Sequence, residues 1–243
     1  SYFADSEQQA RGTPSAGELA ILEPLRAQLD PAVFGPMTAQ PDTDPPGSLR
    51  ANLLKARALL GEAGWHYRDG ALRNAAGQPF TFEILDDSGA AMAPVASVYI
   101  RNLKKLGIEA RFRTVDFALI QKRFDTFDFD MTSLRYPDVQ VPGTEEVSRF
   151  GSKSADEEGS DNLMGLKSPA VDAILRRLVH AQTRAQLVDA ARALDRVLMH
   201  GYYVVPQWYS TTHRIAYRRA LRYPSTLPLY YSASDGLVLT WWS

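Results

Sequence analysis

The chain has 243 residues, with 27 Lys and Arg against 28 Asp and Glu and a formal charge of −1. Hydrophobic residues make up 45% and charged residues 23%, which is ordinary globular composition and excludes the disordered and fibrous classes. The near-neutral balance excludes the basic footprint that nucleic acid requires. The absence of Cys excludes disulfide frameworks, thiolate metal sites, iron–sulfur clusters and a thiol nucleophile.

No apolar run approaches the ~18 residues that span a bilayer. Ser1-Tyr2-Phe3-Ala4-Asp5-Ser6 has neither the basic start nor the apolar stretch of a signal peptide. The sequence therefore reads as a cytosolic chain, or as a mature chain or fragment whose leader is gone. Its first fifty residues are loop-rich, with Pro31, Pro36, Pro41, Pro45 and Pro46 among Gly35, Gly47, Asp42 and Asp44. Leu19, Leu22, Leu25 and Leu29 predict one helix after Pro14-Ser15. Ser48 then caps a helix whose Leu49, Leu53, Ala56 and Leu60 share a face, and Gly64 stops it. Two turn signals, Arg68-Asp69-Gly70 and Ala75-Ala76-Gly77, predict a hairpin-like excursion between Trp65 and Pro79.

From Phe80 strands and helices alternate. Phe80 to Leu85 is a strand pattern. Val95, Val98, Leu103 and Leu106 mark a helix ending at Gly107, with Lys104 and Lys105 in its last turn. Ile108 to Val115 alternates as a half-buried strand, Phe117 to Phe124 is a helix, and Phe127 to Leu134 is a third strand. This β-α-β-α-β order implies a largely parallel sheet with right-handed crossovers. Arg135 to Lys167 reads as a long polar connection without periodicity, a length often associated with function. Ser168-Pro169 opens a helix buried through Val171, Ile174, Leu175 and Leu178, and Leu187, Ala191, Leu194 and Leu198 bury the next. Tyr202 to Tyr209 and Arg214 to Tyr217 read as strands. The tail from Tyr223 is rich in Pro and aromatics.

Chemistry-bearing groups are few. His66, His180, His200 and His213 form no metal-binding pair, and His180 and His200 fall near helix C-termini, where the dipole favours a cation. There is no nucleophile elbow and no phosphate loop. Asp128 and Asp130 point the same way if extended and form a candidate carboxylate pair, against the plainer reading of a strand start with one Asp bonding backbone amides. Arg135-Tyr136-Pro137-Asp138 leaves the third strand where ligands collect in open α/β sheets; its cation, ring and anion can hold a zwitterion, or form a solvated turn. Tyr202, Tyr203, Trp208 and Tyr209, with Trp241 and Trp242, can line a cleft or a core.

Several ordered segments resemble the C-terminal part of family 5 extracellular solute-binding proteins, the peptide-binding components of ABC importers. They include Ser1 to Ser6, Leu22-Glu23-Pro24-Leu25, Ala58 to Trp65, Gln78 to Leu85, Leu103 to Ile108 and Phe127 to Thr132. Gly159 to Lys167, Ala193 to Leu198, Tyr203 to Trp208 and Arg214 to Tyr217 resemble the YejA-like oligopeptide-binding branch. The resemblance implies an α/β lobe of a two-lobe periplasmic binding protein, without its N-terminal lobe. It divides the chain into a loop-rich opening segment (1–47), a ligand-binding lobe (48–200) and a return segment (201–243) toward the hinge. It implies a monomeric binding protein rather than an enzyme, with no cofactor, an oligopeptide or similar small solute as ligand, and a membrane permease as partner. Asp138 falls where relatives hold a peptide amine, although Val139-Gln140-Val141-Pro142-Gly143 departs from the usual continuation. Arg135, Tyr136 and Asn162 are further cleft candidates, and Trp208 a possible wall. The alternatives are the sensing domain of a transcription regulator with this fold, and a hydrolase using Asp128 and Asp130.

Overall fold

The computed structural model describes residues 1–87, 89–136, 141–208, 210, 215–226 and 240–242. Two apolar cores organise them. The first is helical. Helix α1 (Ala16–Leu22) starts at Ser15, whose hydroxyl accepts from Glu18 N while Glu18 accepts from Ser15 N, a reciprocal capping box. The single helix expected through Leu29 breaks after Leu22 into a 3-10 stretch (Glu23–Gln28), because Pro24 cannot donate an α-helical backbone bond. Near the other end of the chain, α6 (Pro169–Val179) begins at Ser168 with Pro at its first position, as expected, and α7 (Arg184–His200) begins at Thr183. Leu22, Val33, Phe150, Leu166, Val171, Ile174, Leu194 and Leu198 fuse these elements into one buried cluster. The opening residues therefore belong to the helical core.

Charge fastens that join. Arg196 is fully buried and donates to Glu18 Oε1 at 3.1 Å, to Gly12 O at 3.1 Å, to Gly35 O at 3.0 Å and to Arg11 O at 3.3 Å. Asp195, equally buried, accepts from Ser1 Oγ at 2.8 Å, Tyr2 N at 2.8 Å and Ala10 N at 2.9 Å. Burial pushes its carboxyl up, and these donors pull it back.

The second core carries the sheet. Helix α2 (Leu49–Glu62), capped by Ser48, lays Leu53, Ala56 and Leu60 on Leu72, Leu106 and Ile108. The expected hairpin is β1 (His66–Arg68) paired antiparallel with β2 (Ala71–Arg73). Gly107 has φ +84 and lies against Tyr67 and Leu72, so only glycine joins the strand that follows to this hairpin without strain. Strand β3 (Thr81–Asp86), helix α3 (Gly89–Lys105), strand β4 (Glu109–Thr114), helix α4 (Phe117–Asp125) and strand β5 (Met131–Thr132) follow in order. The sheet is parallel with order β4-β3-β5; Thr81 to Asp86 align with Glu109 to Thr114, and Ile84 and Leu85 with Met131 and Thr132.

Four further expectations change. The strand read over Phe127 to Leu134 shrinks to Met131–Thr132, because Phe127 takes a left-handed φ of 55° and Asp128 N still donates to Arg123 O of α4. The connection from Arg135 to Lys167 contains helix α5 (Thr144–Phe150) and a 3-10 turn (Ser154–Asp156). Residues 202–208 form no strand; Tyr202 has φ +52 and Pro206 lacks a donor. Within the second stretch read as a strand, residues 215–217 are likewise not extended into a sheet, and Arg214 lies outside the described residues, as does Tyr209. The histidine reading holds: His180 and His200 stand at the ends of α6 and α7, each Nδ1 facing the carbonyl four residues back, at 2.9 and 2.8 Å.

Candidate functional site

In the order β4-β3-β5 the chain reverses direction across the sheet at β3, which makes the carboxyl ends of β3 and β5 a topological switch point. Asp86, Thr114 and Thr132 end the three strands there, and the start of α3 at Gly89 lies close against the Thr114 side chain. Ser133 Oγ donates to Asp86 Oδ2, and Thr132 Oγ1 donates to Leu85 O at 2.9 Å.

The chain leaving β5 brings Arg135 and Tyr136 to this edge. Arg135 is exposed and enters no ion pair with a described residue. Tyr136 turns inward. Its ring stacks on Phe150 at 6.3 Å and meets Tyr2 edge-on at 5.4 Å. Burial pushes its hydroxyl up to about 12, with Arg149 pulling it down and Glu146 pushing it up. Glu146 of α5 is itself buried, 3.1 Å from Arg149. Burial raises its carboxyl to about 7 against the pull of Arg149. This pair was invisible in a segment read as aperiodic; the signal was the i, i+3 spacing of Glu146 and Arg149 beside Val147 and Phe150.

The other expected site residues separate. Asp138 lies outside the described residues. Asn162, expected at the cleft, is instead fully buried: its amide donates to Gly151 O at 2.9 Å and Leu166 O at 3.0 Å, and its carbonyl accepts from Leu166 N at 2.9 Å. Those three bonds use both its amide hydrogens and its carbonyl, so it braces the loop between α5 and α6. Trp208 is 65% exposed, and no hydrogen bond or ring contact among the described residues joins it to Arg135 or Tyr136.

The Asp128 and Asp130 pair follows the plainer reading. Asp130 accepts from Glu83 N at 2.9 Å, and Asp128 is exposed, 3.8 Å from Arg123. They border a polar pocket of about 300 Å³ at the amino end of β5, lined also by Glu83 and Arg123, whereas the switch point lies at its carboxyl end. A larger groove of about 420 Å³ runs between α2 and the end of α3, lined by Leu49, Leu53 and Leu54 with Arg50, Arg57 and Lys105. Among the described residues no cluster of three His, Asp or Glu is placed to hold a metal ion, and no helix is long and apolar enough to cross a membrane.

A three-stranded parallel sheet with a switch point and flanking helices defines an α/β fold. The family model of bacterial extracellular solute-binding proteins, family 5, matches residues 20–157, more than half of the chain, and the chain belongs to that family. The likeness in sequence is to its YejA-like branch. The probable peptide-binding protein YejA of Agrobacterium fabrum is 42% identical over 244 residues, covering 100% of this chain and 39% of that protein. The chain thus spans about two fifths of the length of the curated relatives it matches. Two solved structures share the fold. The periplasmic oligopeptide-binding protein of Thermotoga maritima, solved with mannohexaose bound, superposes with a TM-score of 0.57 at 20% identity over 65% of this chain and 31% of that one. The oligopeptide-binding protein AppA of Bacillus subtilis, in complex with a nonapeptide, gives 0.55 at 20% identity over 83% and 41%.

Proposed function

We propose that this chain is the second lobe and return segment of a two-lobe substrate-binding component of an ABC importer. It works in the periplasm and grips an oligopeptide or similar small solute by lobe closure. Binding, not catalysis, is its task. The observation that carries this reading is the alignment of the whole chain, at 42% identity, with a probable peptide-binding protein. The site supports it. The switch point presents the exposed guanidinium of Arg135, which has no ion-pair partner among the described residues, beside a packed Tyr136. An open ledge of this kind is what one wall of a two-walled cleft looks like before the other wall closes on it. Asp138, three residues beyond Arg135, supplies the anion for a peptide amine.

The return segment supports the same architecture. Tyr202, Val205 and Trp208 are 73, 53 and 65% exposed, an apolar strip of the kind that marks an interaction surface. The first lobe covers it in the complete protein, and the importer's membrane permease receives the closed form.

Two measurements test this. Calorimetry on the complete two-lobe protein should show peptide binding, and the 243-residue chain alone should bind weakly or not at all. Asp138→Asn should weaken affinity for a free-amine peptide by roughly 1–3 kcal/mol, as for loss of a charge-assisted hydrogen bond. Tight binding by the isolated chain would contradict the architecture. Hydrogen exchange in residues 202–208 that is equally fast with and without the first lobe would remove the covering role.

A further inference from the structure

Strand β5 pairs with β3 over two residues only, so ladder bonds alone fix its exit weakly. Side chains complete the attachment. Thr132 bonds the Leu85 carbonyl and Ser133 bonds the Asp86 carboxylate. Asp86 is 2% exposed, and its own carbonyl accepts from Val115 N at 3.0 Å, so it is held between both neighbouring strands. Three residues beyond Ser133, Tyr136 is clamped between Tyr2 and Phe150. The stretch from Ser133 to Tyr136 is thus fastened at both ends. Arg135 stands between the fastenings, exposed and without a counter-charge among the described residues. A fixed backbone beneath a guanidinium lowers the ordering cost of using it, and the guanidinium fork matches a planar carboxylate with two parallel bonds.

We infer that Asp86 and Ser133 are positioning residues, which hold Arg135 at the switch point to receive a carboxylate of the ligand. This rests on the peptide-binding reading above for the nature of the ligand, though not for the fastening. Neither Asp86 nor Ser133 touches the ligand; both act through the backbone that carries Arg135.

The probes are trialanine and trialanine amide, titrated calorimetrically into the complete two-lobe protein. The wild type should prefer the free acid by roughly tenfold or more, as for a bidentate charge-assisted pair. Arg135→Gln should abolish the preference. Asp86→Asn and Ser133→Ala should each shrink it several-fold, and the double variant should be no worse than either single one, since both break the same bond. Ser133→Thr should restore it. An unchanged acid-to-amide ratio in Asp86→Asn and Ser133→Ala overturns the inference. So does an equal loss of both affinities, which marks a merely structural role. If the wild type binds neither probe, the peptide reading and the carboxylate assignment both fall. The positioning role is then decided by hydrogen exchange at the Arg135 and Tyr136 amides: faster exchange in Asp86→Asn at equal global stability supports it, and unchanged exchange overturns it.

Discussion

The two cores are built to different standards. The helical core buries Leu22, Val171, Ile174, Ala190, Ala193 and Leu194 almost completely, and with them Asp195 and Arg196. Among the described residues, the cluster under α2 has Leu72, Leu106 and Ile108 as buried centres, with half-buried rings around them, and α2 leaves Leu54 and Leu59 more than half exposed. The helical core is joined across the chain by buried charge. The core under α2 is thinner. Mutations should therefore act differently in the two regions.

The largest effect is expected at Arg196. Replacing it by Met removes the partner of a buried Glu18 and leaves the carbonyls of Arg11, Gly12 and Gly35 without their donor. Breaking a buried pair from one side costs roughly 3–5 kcal/mol, enough to unfold a domain of ordinary stability. Urea denaturation measures it. A loss below about 1 kcal/mol, the scale of a surface pair, would mean that the helical core does not depend on this join.

Glu146 comes next, because it is buried near Tyr136, in the chain that leaves β5. Its folded pKa of about 7 lies above the ordinary 4.5. Between those values the folded state holds a proton that the unfolded state has released, so stability falls as pH rises from 4.5 to 7 and is level above. The fall is on the order of 2–3 kcal/mol. Glu146→Gln should remove it, leaving the variant the more stable form at pH 7. Urea midpoints of both proteins at pH 5 and pH 7 check this, and parallel shifts in the two would reject it.

In the core under α2, Leu72→Ala should cost about 2 kcal/mol, the low end for a buried leucine, since a thin core can collapse around the gap. Because Leu72 sits on the hairpin side of the sheet, peptide affinity of the complete protein should not change at temperatures where the variant stays folded.

These contrasts also explain what was legible in the sequence. Ser168-Pro169 named the start of α6, and the alternation of Ile108, Ala110 and Phe112 named β4, because capping and period-two burial are local rules. Strand β5 was overdrawn because Phe127-Asp128-Phe129 alternates like a strand while its backbone is still unwinding from α4. Helix α5 was missed because it has seven residues, three of them charged, with its burial decided by Tyr2 and Tyr136 from elsewhere in the chain. Two of the YejA-like segments hold buried polar groups that close the fold: Ala193 to Leu198 contains Asp195 and Arg196, and Gly159 to Lys167 contains Asn162. Arg135 and Tyr136 were singled out by topology alone, as residues that follow the carboxyl end of a strand.

The smallest effect is expected at Asp128, and it separates a binding protein from a hydrolase. Asp128 is 74% exposed, and its ion pair to Arg123, at 3.8 Å, lies at the surface. A surface pair of this kind contributes little, so Asp128→Asn should change stability by less than about 0.5 kcal/mol. Peptide affinity in the complete protein should not move either, because the pocket it borders is at the amino end of β5 while Arg135 leaves the carboxyl end. Asp130 differs, since its carboxylate accepts from the Glu83 amide and so helps register β3 against the start of β5. A catalytic carboxylate pair would fail together, with both Asn variants losing the same activity. A structural pair should diverge, Asp130→Asn shifting the urea midpoint more than Asp128→Asn, and that divergence is the outcome the geometry requires.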